Sequence, residues 1–194
     1  MDFINDLVFL FNKPKVIIIV GKEKEAAKKA ITAVLESRFK MGKNLAIVDI
    51  EKTGLGKIGF FVKNSSLPIF VAADGGEISE IKKIAKNLPA KAAFIFNFDE
   101  EAVRMAKNET QARSLTFGFQ EGADFKAGDE SVNGGINFKI NYNGSIVPFW
   151  LTKSQKDDKK EIYAALAAAA CGTALGLNLV EISQSLSSPL SAKI

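Results

Sequence analysis

The residues of this chain whose types and spacing could handle a phosphate lie between Lys15 and Ala30, KVIIIVGKEKEAAKKA. Val16 to Val20 is a continuous β-branched run of the kind that forms a buried parallel strand. Gly21 ends it, and Lys22 to Leu35 carries Ala26, Ala27, Ala30, Ile31 and Val34 at helical spacing. A strand, a glycine and a helix is where a mononucleotide fold sets phosphates against a helix N-terminus. A phosphate-binding loop needs more: a second glycine four or five residues on, then Lys and Ser or Thr, so that bare amides and an ammonium surround the anion and a hydroxyl holds magnesium. Lys24, Glu25 and Ala26 stand in those places. A carboxylate facing a triphosphate oxygen at about 4 Å costs roughly 4 kcal/mol at an effective dielectric near 20, where a lysine would gain a similar amount. The segment therefore has the framework of a nucleotide site without its working groups. Any βα unit of an α/β domain shares that framework.

Other reactive groups are sparse. The chain has no histidine, which rules out histidine general-base catalysis and histidine-ligated metal. Its one cysteine, Cys171, lies in an alanine-rich apolar stretch, so no intramolecular disulfide forms and the thiol reads as buried and inert in a reducing compartment. The formal charge of +4 comes from lysines scattered among acids; Arg38, Arg104 and Arg113 are the only arginines. Nucleic-acid recognition leans on arginine forks and basic stripes, so that partner class is set aside. No run of about 18 apolar residues is present, so no transmembrane segment is expected. The amino terminus, MDFINDLVFLFNKP, puts Phe3, Leu7, Leu10 and Phe11 on one helical face but lacks a basic n-region and a cleavage site. It reads as a lead-in helix packed on a cytoplasmic domain, with docking to a membrane surface or a partner as the alternative.

The elements that position these residues follow from periodicity. At 194 residues and 47% hydrophobic content the chain can bury one sizeable core. After the first βα unit, Asn44 to Ile50 is a second strand and Glu51 to Lys57 a glycine-punctuated loop. Ile58 to Val62 reads as a short strand or the start of a helix. Leu67 to Ala73 is a third strand, Asp74-Gly75-Gly76 a turn, and Glu77 to Asn87 an amphipathic helix with Ile78, Ile81, Ile84 and Ala85 inward. Ala92 to Phe96 is a fourth strand and Asp99 to Lys107 a helix. Such alternation means a parallel sheet with helices on both faces. The pattern then changes to short strands: Ser114 to Phe119, Ala123 to Gly128, Ile136 to Tyr142 and Ile146 to Leu151, the last two joined by an Asn143-Gly144 turn. Thr152 to Lys160 is a solvated loop, Glu161 to Leu175 a buried Ala-rich helix ended by Gly176, and Val180 to Leu186 a last short helix. The expected fold class is a three-layer α/β domain with a mostly parallel sheet of the P-loop type and a small antiparallel subdomain. One domain is divided into a lead-in helix (1–14), a parallel part (15–113) in which the first strand is central, an antiparallel subdomain (114–151) and closing helices (152–194).

Three features in order resemble the central domain of the Mur ligases, nearest the branch that adds the D-alanyl-D-alanine dipeptide in peptidoglycan precursor synthesis. They are Asn97-Phe98-Asp99-Glu100 after a hydrophobic strand; Thr116-Phe117-Gly118 followed by Ala123-Asp124 and Gly134-Gly135-Ile136-Asn137-Phe138; and Tyr163 to Gly176 leading to Val180 to Leu186 and Pro189. Lys13-Pro14-Lys15-Val16 and Gly76-Glu77-Ile78 match as well.

The resemblance implies an ATP-dependent ligase in which a carboxylate is phosphorylated and an amine attacks the acyl phosphate, with magnesium neutralising the triphosphate. Taken position by position it also implies losses. The family's phosphate-loop lysine and threonine fall at Glu25 and Ala26, and its magnesium-binding glutamate has no counterpart among Ile69, Phe70 and Val71. Its histidine-asparagine pair falls at Lys160 and Glu161, and the asparagine after it at Ala164. The segment with the magnesium-binding histidine and the modified lysine is missing before Asn97. Gly21, Asn97 and Asp99 remain as vestigial nucleotide-side positions, with no catalytic and no metal-binding residue assigned. The expected function is a non-catalytic binding or scaffold module without cofactors, acting with a protein partner or with flanking domains. ATP and magnesium enter only under the alternative, an amide ligase domain completed by other domains or a partner chain.

Overall fold

A computed structural model describes residues 9–49, 55–73, 77–132, 134–152 and 158–187. Eight strands form one sheet in the order β2-β1-β3-β4-β5-β6-β7-β8. The first five, β1 (Lys15–Val20), β2 (Leu45–Asp49), β3 (Pro68–Ala72), β4 (Ala93–Asn97) and β5 (Arg113–Gly118), run parallel. β1 is paired on both sides, with Ile17 opposite Ile47 of β2 and Ile69 of β3, and it stands second in the parallel set, beside the edge strand β2. The β-branched run of β1 has no polar alternation because both faces of the sheet are covered. Ile17 and Ile19 enter one core, and Val16, Ile18 and Val20 enter the other.

The helices divide accordingly. α1 (Lys24–Leu35), α5 (Asp158–Ala174) and α6 (Leu179–Ser187) bury Ile31, Leu166 and Ile182 against the first face. α2 (Leu55–Asn64), α3 (Ile78–Lys86) and α4 (Glu101–Ala106) bury Phe61, Ile81 and Val103 against the second. The stretch Ile58 to Val62, open between strand and helix on sequence, is thus helical. A helical turn at residues 9–12 seats Phe9 against Phe60 and Phe61, at ring separations of 5.9 and 4.9 Å. Most of the expected lead-in helix, the Asp74-Gly75-Gly76 turn and most of the loop before α5 lie outside the described residues.

The antiparallel strands β6 (Phe125–Val132), β7 (Gly135–Tyr142) and β8 (Ser145–Thr152) are present. Phe138 stands opposite Phe149, with the rings stacked at 5.5 Å. Asn143 and Gly144 both have positive φ, 50° and 78°, as a two-residue hairpin turn requires. Two details differ from the reading by periodicity. β5, grouped there with the antiparallel strands, pairs in parallel with β4 along its length. The antiparallel strands also continue the main sheet, because Phe125 and Lys126 of β6 lie beside Phe117 and Gly118 of β5. A side-chain clamp sets that register: the Thr116 N–H and O–H donate to Asp124 Oδ2 at 2.7 and 2.8 Å, and the Asp124 N–H donates back to Thr116 Oγ1 at 2.8 Å. The Thr116-Phe117-Gly118 and Ala123-Asp124 motifs are therefore joints of the sheet.

The free edge at β8 is blunted. Pro148 offers no N–H, and the Ser183 and Ser187 hydroxyls of α6 donate to the carbonyls of Pro148 and Trp150 at 2.7 and 3.0 Å.

Candidate functional site

The crevice begins where β1 stops. Gly21 has φ +119°, a conformation that side-chain-bearing residues rarely adopt, and it turns the chain from the sheet into α1. The residue capping α1 is Glu23, which makes no side-chain hydrogen bond to its own helix. Its Oε1 instead lies 2.6 Å from Nζ of Lys160, on the first turn of α5 and 137 residues away. Glu25, in the place of a phosphate-loop lysine, is exposed. Behind the ion pair is a cavity of about 30 Å³ lined by Glu23, Ala27, Ala73, Lys160, Tyr163 and Ala164, room for one or two water molecules.

Asn97 and Asp99 come together at the end of β4. Asn97 is buried, and its Oδ1 accepts the Asp99 N–H at 3.0 Å, closing a turn of the Asx type. The Asp99 carboxylate then receives three donors: the Phe119 N–H at 2.8 Å and the Tyr163 O–H at 2.8 Å on Oδ2, and the Gln120 N–H at 3.0 Å on Oδ1. Gly118 allows this approach, since a Cβ there would lie 2.6 Å from Asp99 Oδ1. Asp99 thus ties the ends of β4 and β5 to α5. Gly21 stands apart from this pair, with β3 between β1 and β4.

Around the joint, the Phe119 and Tyr163 rings meet edge to face at 5.0 Å, and Lys159 Nζ lies 5.1 and 5.9 Å from their centroids. Burial pushes the Tyr163 phenol well above its ordinary range, and the hydrogen bond to the Asp99 carboxylate pushes it further in the same direction. The native state then keeps a proton that the unfolded chain releases near pH 10, so stability is fully present below that pH and falls as the pH rises above it. With Tyr142 replaced by Phe, alkaline titration should show no phenolate absorbance until the chain unfolds. A reversible phenolate band in the folded protein near pH 10 would contradict this geometry.

Among the described residues no group of three or more Cys, Asp or Glu side chains is arranged to hold a metal ion, and no helix is long and apolar enough to cross a membrane. Reading along the sequence places Gly21, Asn97 and Asp99 near a crevice but gives no role to Glu23, Lys160 or Tyr163. Their contacts span 64 to 137 residues and leave no local pattern.

The sequence matches no family model and no curated protein. The fold, by contrast, is shared with solved structures. A UDP-N-acetylmuramoylalanyl-D-glutamyl-2,6-diaminopimelate--D-alanyl-D-alanyl ligase from Acinetobacter baumannii superposes with a TM-score of 0.75 at 16% identity, over 95% of this chain and 48% of that one. A MurF ligase from Thermotoga maritima in complex with ADP gives 0.71 at 12% identity, over 92% and 50%. A pseudomurein peptide ligase type C from Methanothermus fervidus gives 0.66 at 16%, over 91% and 49%. The fold is that of a Mur ligase central domain, and the chain spans about half the length of these structures.

Proposed function

We propose that this chain is a Mur-ligase-like module that has lost ATP-dependent ligation and serves as a cytoplasmic binding or scaffold module linked to peptidoglycan precursor synthesis. The observation that carries the reading is the commitment of the Asp99 carboxylate to donors of its own fold. A nucleotide-side carboxylate must face its ligand, and this one is turned inward onto two backbone amides and a phenol. Asn97, the other nucleotide-side position of this pair, has its carbonyl oxygen committed to the same turn. Glu25 and Ala26 stand where the ammonium and hydroxyl of a phosphate loop belong, and Glu23 adds a second carboxylate to the turn. The described residues do not fit a magnesium triphosphate. Flanking domains or a partner chain would supply what the module binds.

A second reading, an amide ligase domain completed by other domains, draws support from the half-length coverage of ligase structures. Thermal melts with and without magnesium and ATP separate the two. A ligand at 100 times its Kd stabilises by about 2.7 kcal/mol, which raises Tm by roughly 5–10 °C for a chain of this size. The expected result is no shift and no phosphate release above a protein-free blank. Turnover that disappears in Asn97→Ala would overturn the proposal in favour of the ligase.

A further inference from the structure

Two neighbouring lysines on the first turn of α5 close the crevice from one side. Lys160 reaches across to Glu23 on the β1–α1 turn, and Lys159 covers the Phe119 and Tyr163 rings. Below them α5 is fixed, with Tyr163 held by Asp99 and Ala164 buried. The wall behind the ion pair is built from the small side chains Ala27, Ala73 and Ala164. The pair itself is half in water, with Lys160 and Glu23 side chains 48% and 41% exposed, so solvent competes for both charges and the contact is easily exchanged. Helix ends are also where native chains open at least cost.

We propose that the first turn of α5 is a strap that the chain closes over its own crevice, latched by Lys160 on Glu23, and that solutes reach the alanine wall when the latch releases. The strap acts on whatever enters, so the proposal stands independently of whether that solute is a nucleotide.

The test is the reaction of a cysteine placed on the wall, Ala73→Cys, with methyl methanethiosulfonate, a neutral reagent whose approach is not steered by the charges being changed. Ala73 is 6% exposed. The native Cys171 is fully buried, and burial alone holds its thiol in the protonated, unreactive form; the parent chain supplies the blank. Rates are corrected for thiolate fraction from their pH profiles. Lys160→Gln should speed the reaction about three- to fivefold, the range that an exposed ion pair allows. The swapped pair Glu23→Lys with Lys160→Glu should return it to within about twofold of the native-latch rate, because the attraction is restored with the charges exchanged. High salt should accelerate the native-latch protein more than Lys160→Gln. Equal rates with and without the latch, or a swapped pair as fast as Lys160→Gln, would overturn the strap. The same series with Ala27→Cys replaces it if the Ala73 variant does not fold. Neither outcome depends on the ATP assays above.

Discussion

Replacing Asp99 by Ala should lower Tm by about 10 °C, although the residue sits at the mouth of a crevice and not in a core. The substitution strands the Phe119 and Gln120 amides and removes the acceptor of the Tyr163 hydroxyl. Hydrogen bonds to a charged group contribute about 1.5–3 kcal/mol each when buried. The site is partly exposed and the Gln120 amide is on the surface, which takes the total below three times the lower figure, to ~3–4 kcal/mol. At roughly 2–4 °C per kcal/mol for a chain of this length, the shift follows. A double-mutant cycle identifies the mechanism. Tyr163→Phe should cost about 1 kcal/mol in the native background and close to nothing beside Asp99→Ala, since the bond it deletes is already gone. A variant that melts with the native protein would show that the carboxylate is not a structural joint. The reading of Asp99 as turned away from any nucleotide would fall with it.

This joint also marks where the sequence stops being legible. Strand β1 and the parallel order around it follow from local chemistry, since a β-branched run without polar alternation has to be covered on both faces. The β7–β8 hairpin follows from Asn143-Gly144 and the alternating Ile136, Phe138 and Ile140. α2 was ambiguous because Phe60-Phe61-Val62 is a continuous apolar run and Gly56 and Gly59 dilute the helical pattern. Attachment of the antiparallel strands to the main sheet depends on the Thr116–Asp124 clamp, a contact across one turn that a periodicity reading takes only as motif letters. Asp99 was recognisable as a residue placed for chemistry. What its carboxylate touches was not, because Tyr163 arrives from a helix 64 residues further on. The same holds for Glu23 and Lys160, which look like ordinary surface charges until the fold brings them together. Local patterning thus specified the layers, and the long-range polar contacts that define the crevice came only with the tertiary structure.

Ala168→Leu should cost about 3 kcal/mol, the upper end of the usual penalty for forcing extra methylenes into a packed site. A helix reading AALAAAA has no amphipathic stripe, and the structure gives the reason. Residues Ala164 to Ala170 of α5 are each at most 4% exposed, with the sheet on one side and α1 and α6 on others. A helix covered on several sides cannot direct a long side chain toward solvent. Alanine also lets the helix approach its neighbours closely while keeping the best helix propensity. The tightness is visible about one turn along the same element, where a Cβ on Gly172 would lie 2.8 Å from Ile182 Cδ1 of α6 and 3.1 Å from Val34 Cγ1 of α1. A leucine at Ala168 has three more heavy atoms and no void to receive them. It can fit only by shifting α5 against the elements packed on it, and such a movement pulls Tyr163 from Asp99 and Lys160 from Glu23 as well. The expected result in denaturant titrations is therefore a lower midpoint together with a phenol at Tyr163 that begins to titrate in the folded state. A loss below about 1 kcal/mol would mean that the helix has slack and that close packing is not the cause of its alanine content.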